Sequence, residues 1–493
     1  MQVTLNKKFF ILIVDFAIIL ISIFCSLYIA YSNRLAQGYE LLYMLPLSFG
    51  FCFVFFLSKP VMLNRSVFLW TFATFAILRY LLLPVSMVYQ NFWTGYAYYP
   101  PHPSSVYKGI LLMIYEIIIS SIVICTCYKK KLHNDMRNSH ASCSKNDAAN
   151  CKALIKNKTF YIIFIFFSFF ILITNSEILK GISFFSTFNR IDSEEKGIFI
   201  SLGRQFVMLA KLLLYFLVID KLHQKYLSSH KNIYIWLTYI AAFLNIGIFV
   251  GVNRKNIIVN AIASIFTINY LYPKQKSKTT FIIIIIAFLI FSQLTLFRFY
   301  NDTSKKPFDN IAATLQVYFS GPYNMALAVE TREEYKEEIS AFNVFYDIAR
   351  PFYGIGQYFK RFNVYSSTDY FNKRLSIGGL PRNDQIMPVT GEGLLHFGYI
   401  LSPIYLILTV MLGFYLDKKL SKAEKLEEKY ILILLCAILG EIMGLNFVII
   451  VNQMTFNGVL FYLVYWLNSK IILVSSTKLT YLSKSAQFYN LLN

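Results

Sequence analysis

The chain has 493 residues, of which 56% are hydrophobic, 18% aromatic and 15% charged, and its 47 basic and 26 acidic residues give a net charge of +21. A soluble domain carries about 25% charged residues, so this composition excludes a soluble enzyme, a disordered chain and a disulfide scaffold. Basic chains often bind nucleic acid, but here the basic residues form short clusters between long apolar segments. The sequence therefore predicts an all-α protein that crosses a membrane many times, and no nucleic-acid partner.

A membrane-spanning helix needs about 20 mostly apolar residues, and about twelve segments approach this requirement. We predict spans near residues 9–31, 41–57, 67–89, 107–127, 159–175, 200–220, 233–251, 256–272, 281–297, 399–416, 431–450 and 457–474. Lys and Arg are enriched in cytoplasmic loops, and here they are concentrated in every second loop. This alternation predicts that both termini are cytoplasmic.

The predicted spans divide the chain into three regions. Residues 1–297 form an N-terminal membrane region with about nine spans, and residues 397–493 form a C-terminal membrane region with about three. Residues 298–396 form one large external loop, between spans nine and ten, in which Pro and Gly separate helix-like stretches. The first half of this loop is rich in acidic residues and the second half in basic ones.

Sequence motifs exclude several kinds of chemistry. The chain lacks a phosphate-binding Gly-rich loop, HExxH and GxSxG. Its seven cysteines lie in predicted spans or in a cytoplasmic loop, so we expect no external disulfide. The spacing of Cys125, Cys127 and His133 does not match the paired-ligand pattern of zinc sites. We therefore predict no metal site and no cofactor.

Ionisable side chains in or beside the apolar segments are the best candidates for function, because charge is costly in a membrane. Apart from one deeper lysine, these side chains are predicted to lie near the external membrane surface. They are Arg204 in SLGRQF, the deeper Lys211, Arg254 in GVNRKN, Arg350 and Arg382 beside Pro-containing turns, and Glu392 and His396 in TGEGLLHFG. Because a guanidinium group binds diphosphate or carboxylate with two hydrogen bonds, this set indicates a lipid-linked diphosphate ligand.

Other interpretations apply to some of these charges. Arg254 sits at a helix end, from which an arginine equally well reaches lipid phosphates. A second set of charges within the spans is expected to form structural pairs across helices. This set comprises Asp15, Arg79, Glu116 and Glu441.

Four stretches in the middle of the chain resemble the Wzy-type polysaccharide repeat-unit polymerases, which include the O-antigen and enterobacterial common antigen polymerases. They are, in order, SLGRQF, GVNRKNIIVNAI, YFSGPYNMALAVE and PVTGEGLLHFGYILSPIYLILTVMLGFYLD. With the dozen spans and the large external loop, the resemblance covers roughly residues 160–420. Where the family has Gly-Gly-Thr/Ser-Arg, this chain has Gly251-Val252-Asn253-Arg254, so only the first glycine and the arginine match.

The resemblance implies a GT-C-like glycosyltransferase of the bacterial cytoplasmic (inner) membrane. Such an enzyme transfers a growing O-antigen or capsule glycan from undecaprenyl diphosphate to a new carrier-linked repeat unit, without a metal or a nucleotide sugar. Besides the undecaprenyl-diphosphate-linked oligosaccharide, the expected partners are membrane lipids, a chain-length regulator and a flippase.

The same resemblance suggests roles for the candidate residues. Arg204 and Arg254 would stabilise the leaving diphosphate. Either Glu392 or His396 would accept the proton of the acceptor hydroxyl. Diphosphate binding would fall to the remaining basic side chains, which are Arg350, Arg382 and Lys211.

Two other functions remain open at the level of sequence. An O-antigen ligase-like transferase would share the general fold and the arginines but use a different acceptor. A lipid-linked oligosaccharide flippase would have a similar number of spans, but transporters usually show repeat symmetry and short loops. The single large external loop therefore favours the polymerase.

Overall fold

The computed structural model describes residues 2–64, 66–95, 97, 99–139, 158–182, 198–249, 255–300, 311–352, 355–362, 364–379 and 385–470. All regular elements in these ranges are helical, as the composition predicted. Arg254 and Arg382, two of the predicted site residues, lie outside the described residues.

The N-terminal membrane region contains eleven described α-helices. Short π-helical turns at Phe53–Leu57 and Leu78–Leu82 join α2 to α3 and α4 to α5. The eleven α-helices are α1 (Gln2–Ala30), α2 (Met44–Cys52), α3 (Ser58–Asn64), α4 (Val67–Ile77), α5 (Leu83–Gln90), α6 (Pro103–Ser139), α7 (Lys158–Thr174), α8 (Ile198–Ser229), α9 (Ile233–Gly247), α10 (Lys255–Leu271) and α11 (Lys276–Tyr300).

The predicted external loop is itself helical where the structure describes it. It contains α12 (Ile311–Phe319), α13 (Pro322–Tyr335), α14 (Ala341–Ala349), α15 (Ile355–Lys360) and α16 (Ser367–Leu375). The rest of the described chain forms α17 (Val389–Leu401), α18 (Ile404–Leu420), α19 (Leu426–Gly440), α20 (Phe447–Met454) and α21 (Leu460–Lys470). A π-helical turn at Thr455–Val459 joins α20 to α21.

Seven helical segments among the described residues are long and apolar enough to cross a membrane, and the bent pair α17–α18 adds an eighth. The seven are Lys8–Ala30, Met44–Asn64, Val67–Gln90, Pro103–His133, Leu202–Ser229, Pro273–Gln293 and Phe447–Lys470. The other predicted spans coincide with α7, α9, α10 and α19, which have 15 to 17 residues. A 15-residue helix is only about 22 Å long, shorter than the roughly 30 Å hydrocarbon layer. The long apolar helices confirm the prediction of a membrane protein. The predicted count of twelve spans stays a prediction, because four of the helices are short.

The core of the molecule lies mainly between the apolar helices, and the helices of residues 311–375 pack against it. The residues of α19 from Tyr430 to Leu439 are all buried, and this helix packs against α4, α10 and α18. In the external loop, α13 packs along α6 and also contacts α16 and α17. A Cβ atom at Gly109 of α6 would lie 2.9 Å from the backbone nitrogen of Ala326. This glycine therefore lets the two helices approach each other closely.

A sharp bend separates α17 from α18 and determines where the residues of α17 lie. The two helix axes differ in direction by 106°. Near the end of α17, Gly398 has φ 78° and ψ −175°, a conformation that is essentially restricted to glycine. A Cβ atom on Gly393 would clash with the backbone carbonyl of Ser402 on the far side of the bend. The bend allows α17 to contact α13, α14 and α16.

A buried ion pair ties α17 to the membrane core. Arg79 and Glu116 are both 0% exposed, with Nη1 2.9 Å from Oε1 and Nη2 3.3 Å from Oε2. Glu116 also accepts hydrogen bonds from Tyr80 Oη at 3.0 Å and Thr390 Oγ1 at 2.5 Å. The structural pairing predicted for Arg79 and Glu116 is thus confirmed, and Thr390 connects it to α17.

Candidate functional site

Two carboxylates and one imidazole meet where the helices of the predicted external loop reach the bent helix pair. One ligand atom each from Asp347, Glu392 and His396 lies within 4.8 Å of the other two. The two acidic residues are 0% exposed, and so is the imidazole side chain. We call these three residues the acidic cluster. The sequence predicted Glu392 and His396 but not Asp347.

Asp347 reaches the cluster from the inner face of α14. This helix is amphipathic, with Tyr346 and Asp347 buried while Phe342 and Phe345 are 67% and 57% exposed. Both carboxylate oxygens of Asp347 lie 3.2 Å from the backbone nitrogen of Ser367, the first residue of α16. Burial raises the pKa of Asp347 to about 7, although these hydrogen bonds act in the opposite direction.

Glu392 lies in the first turn of α17 and points towards the start of another helix. Its Oε2 accepts a hydrogen bond of 2.6 Å from the backbone nitrogen of Phe447, the first residue of α20. Asn446 caps this helix through a 3.1 Å bond to Ile449 N and also binds Thr368 Oγ1. The positive end of the α20 dipole therefore faces the carboxylate. The Oε1 atom is buried and has no hydrogen-bond partner among the described residues.

His396 follows Glu392 by one helical turn, so both side chains project from the same face of α17. Its Nδ1 is 2.8 Å from Tyr405 Oη, and its Nε2 is 3.5 Å from Asp347 Oδ2. Tyr405 stacks on Phe447 with 4.6 Å between the ring centroids. These contacts fix the imidazole plane so that Nε2 faces the two carboxylates.

A cavity of about 210 Å³, lined by both polar and apolar side chains, adjoins the acidic cluster. Two of its lining residues, Thr368 and Val448, directly follow Ser367 and Phe447, whose amides bind Asp347 and Glu392. Arg350 also lines it, and donates a 2.9 Å hydrogen bond to Ser366 Oγ. The complete lining is Arg350, Pro351, Thr368, Gln385, Ile386, Val448, Ile449 and Asn452. A predicted diphosphate-binding arginine thus lines a cavity near Asp347, which in turn contacts the predicted proton acceptor His396.

The other two described candidates lie on α8, which packs against α7 and α9. Lys211 Nζ donates 2.9 Å hydrogen bonds to the carbonyls of Asn245 and Ile248, at the end of α9. It therefore caps a helix C-terminus, where cations are favourable. Arg204 is half-buried, and its Nε and Nη2 atoms lack a hydrogen-bond partner within the described ranges. The structure brings Arg350, Glu392 and His396 together and places Lys211 in a separate contact.

Asp347 is the residue that sequence reasoning missed. The one local feature that could have indicated it is its charge, because Asp347 is the only charged residue in the mostly apolar helix α14, AFNVFYDIA. This signal is weak, because an isolated acidic residue in an amphipathic helix is most often solvated.

The cluster combines the parts that group transfer to a hydroxyl requires. It offers proton acceptors beside an arginine-lined cavity, in a dry environment where electrostatic interactions are strong. The chain matches no family model, curated protein or solved structure.

Proposed function

We propose that the protein is a membrane glycosyltransferase that polymerises lipid-linked oligosaccharide repeat units of a bacterial surface polysaccharide. The observation that carries this proposal is the position of Arg350, which lines a cavity beside the acidic cluster of Asp347, Glu392 and His396. The similarity of four sequence stretches to the Wzy-type polymerases supplies the substrate class. On this proposal the protein lies in the bacterial inner membrane with both termini in the cytoplasm.

The proposed reaction joins an acceptor hydroxyl to the anomeric carbon of the donor glycan. The new C–O bond forms as the bond from that carbon to the diphosphate oxygen breaks, and the hydroxyl proton passes to the acidic cluster. Glu392 Oε1 and His396 Nε2 suit this role, because each is buried without a hydrogen-bond partner in the described part of the chain. The undecaprenyl diphosphate leaves as an anion, so it needs cationic stabilisation.

Arg350 is the described residue best placed to bind that diphosphate. A cavity of about 210 Å³ is smaller than the roughly 300–1,000 Å³ of a typical ligand site. We therefore propose that it holds the diphosphate group while the glycan and the lipid extend outside it. Arg204, Arg254 and Arg382 keep the diphosphate-stabilising roles that the resemblance suggests.

A second cavity suits the polyprenyl chain of the carrier. It has a volume of about 680 Å³ and is lined mainly by apolar side chains of α6 and α17. Lys108 and Glu333 form a 2.8 Å ion pair at its edge, and the other lining residues are Leu111, Leu112, Tyr115, Tyr399 and Ile400. Apolar walls with a charged edge match a lipid tail that carries a polar head.

Glycan ladders from a deletion strain complemented with variants test the proposal. The deletion strain should still export and attach single repeat units but lose long chains. Arg350→Ala and Glu392→Gln should fail to restore them at normal protein level, while Arg361→Ala, which removes an exposed arginine from the same loop, should restore them. Loss of the single-unit product as well would instead indicate a flippase or a ligase, and full ladders from Arg350→Ala would refute the assigned site.

A further inference from the structure

We infer that Asp347, Glu392 and His396 form a binding site for one divalent transition-metal ion. This inference goes beyond the proposed polymerase and departs from the sequence-based expectation of a metal-free protein. It depends on the geometry and charge of the acidic cluster alone, so it stands or fails independently of the substrate. Each carboxylate would offer one oxygen to the ion, and its other oxygen would remain to accept the hydroxyl proton in place of His396 Nε2.

The first argument is that the charge of the cluster lacks a direct ionic partner, since Arg350 acts on Asp347 only from a distance. Within the described ranges, no arginine or lysine nitrogen lies within 4.0 Å of the carboxylates of Asp347 or Glu392. Burying a charge costs several kcal/mol unless it is neutralised. Elsewhere the protein pairs a buried carboxylate with an arginine, as Glu116 and Arg79 show at 2.9 Å. A bound cation would give the acidic cluster the compensation that Arg79 gives to Glu116.

The second argument is that two potential ligand atoms of the cluster lack a hydrogen-bond partner, and one of them, His396 Nε2, lies 3.5 Å from Asp347 Oδ2. Glu392 Oε1 and His396 Nε2 are buried and have no hydrogen bond to any described residue. Because the three ligand atoms are at most 4.8 Å apart, an ion placed between them would lie within about 2.8 Å of each atom. Metal bonds to carboxylate oxygen and imidazole nitrogen are about 2.0–2.2 Å long. Shifts of less than about 1 Å would therefore complete the coordination.

The third argument is that the surrounding contacts orient the donor atoms as second-shell groups do in metal sites. Tyr405 holds His396 Nδ1 and so turns Nε2 towards the carboxylates. The amides of Ser367 and Phe447 hold Asp347 and Glu392. Three protein ligands leave coordination positions open for an oxygen ligand such as a sugar hydroxyl or a phosphate.

The donor set also restricts the kind of ion. One imidazole with two carboxylates suits Zn²⁺ or Mn²⁺. Mg²⁺ and Ca²⁺ prefer oxygen ligands throughout, and the absence of a sulfur donor disfavours Cu(I). We therefore expect Zn²⁺ and Mn²⁺ to bind and Ca²⁺ to bind much more weakly.

Metal content of the full-length protein in detergent tests this inference directly. The protein is treated with EDTA and then dialysed against Zn²⁺ or Mn²⁺, and its metal content is measured by mass spectrometry. The wild type should contain about one ion more per chain than Asp347→Asn or His396→Ala. The matched control is Asp369→Asn, the same chemical change in the neighbouring cap of α16, where the amide oxygen can still accept from Ser366 N. This control should retain the ion.

Thermal unfolding provides a second measurement that does not depend on activity. Zn²⁺ should raise the Tm of the wild type and of Asp369→Asn but not that of Asp347→Asn, because binding to the folded state stabilises it. Equal metal content in the wild type and a folded Asp347→Asn would show that ions bind only elsewhere and would overturn the inference. Wild-type protein without the extra ion would overturn it too, and protons would then neutralise the cluster. Neither result would bear on whether the protein elongates glycans.

Discussion

Replacing Glu116 with leucine is the sharpest test of how the membrane core is held together. The substitution leaves the Arg79 guanidinium buried at 0% exposure, with only the Met443 carbonyl, 2.7 Å from Nη1, still accepting from it. It also removes the acceptor of Thr390 Oγ1, the contact that connects the pair to α17. An unpaired charge in this position has no water to solvate it.

The size of the effect follows from what each variant leaves unpaired. Removing one member of a buried ion pair costs about 3–5 kcal/mol of stability. In the double variant Arg79→Met/Glu116→Leu the charge is gone, and the Met443 carbonyl and the Thr390 hydroxyl lose partners at about 1–3 kcal/mol each. The Thr390 loss is common to both variants, so the comparison is between the buried charge and one unpaired carbonyl. Tyr80 Oη keeps its 2.9 Å bond to the Met113 carbonyl in both variants. The double variant should therefore be more stable than Glu116→Leu.

Equilibrium unfolding in mixed detergent micelles, followed by tryptophan fluorescence, measures this difference. A double-mutant cycle with Arg79→Met as the other single variant isolates the energy of the pair from the cost of each substitution. The reasoning is refuted if Glu116→Leu loses less than about 1 kcal/mol, or if the double variant is the less stable of the two.

Three further substitutions test the site and its surroundings. Tyr405→Phe keeps the aromatic packing but removes the hydroxyl bound to His396, so Mn²⁺ affinity measured by electron paramagnetic resonance should fall about 10–100-fold; unchanged affinity would show that Tyr405 does not orient the ring. Gly393→Ala should force its Cβ atom against the Ser402 carbonyl and destabilise the protein by about 1–3 kcal/mol, which a normal Tm would contradict. Lys211→Met should lose about 1.5–3 kcal/mol of stability with its charge-assisted hydrogen bonds yet keep long glycan ladders; full stability with loss of long chains would instead support a role in diphosphate binding.

Part of the candidate site was accessible from local sequence. Glu392 and His396 were both predicted as site residues, and because they are four residues apart, a helix places them on one face. Arg79 and Glu116 could be expected to pair because isolated charges in spans need partners. In each case the inference uses helix periodicity or the cost of burying charge, and both are properties of short stretches of chain.

The rest of the site depends on contacts between distant parts of the chain. Asp347 joins Glu392 and His396 only because α14 packs against α17 and α20. The helix start at Ser367 meets Asp347 where α16 begins. The helix start at Phe447 meets Glu392, which lies on the bent helix α17. No periodicity in the sequence encodes these distances.

By itself the sequence determined that this is an all-helical membrane protein, because the length and apolar character of each segment decide whether a helix is stable in a lipid layer. Only the tertiary structure showed the acidic cluster, since packing between helices decides which buried carboxylates share a site. The tertiary structure also left the number of membrane spans open. Helices of 15 to 17 residues are too short for composition alone to show whether they cross the membrane.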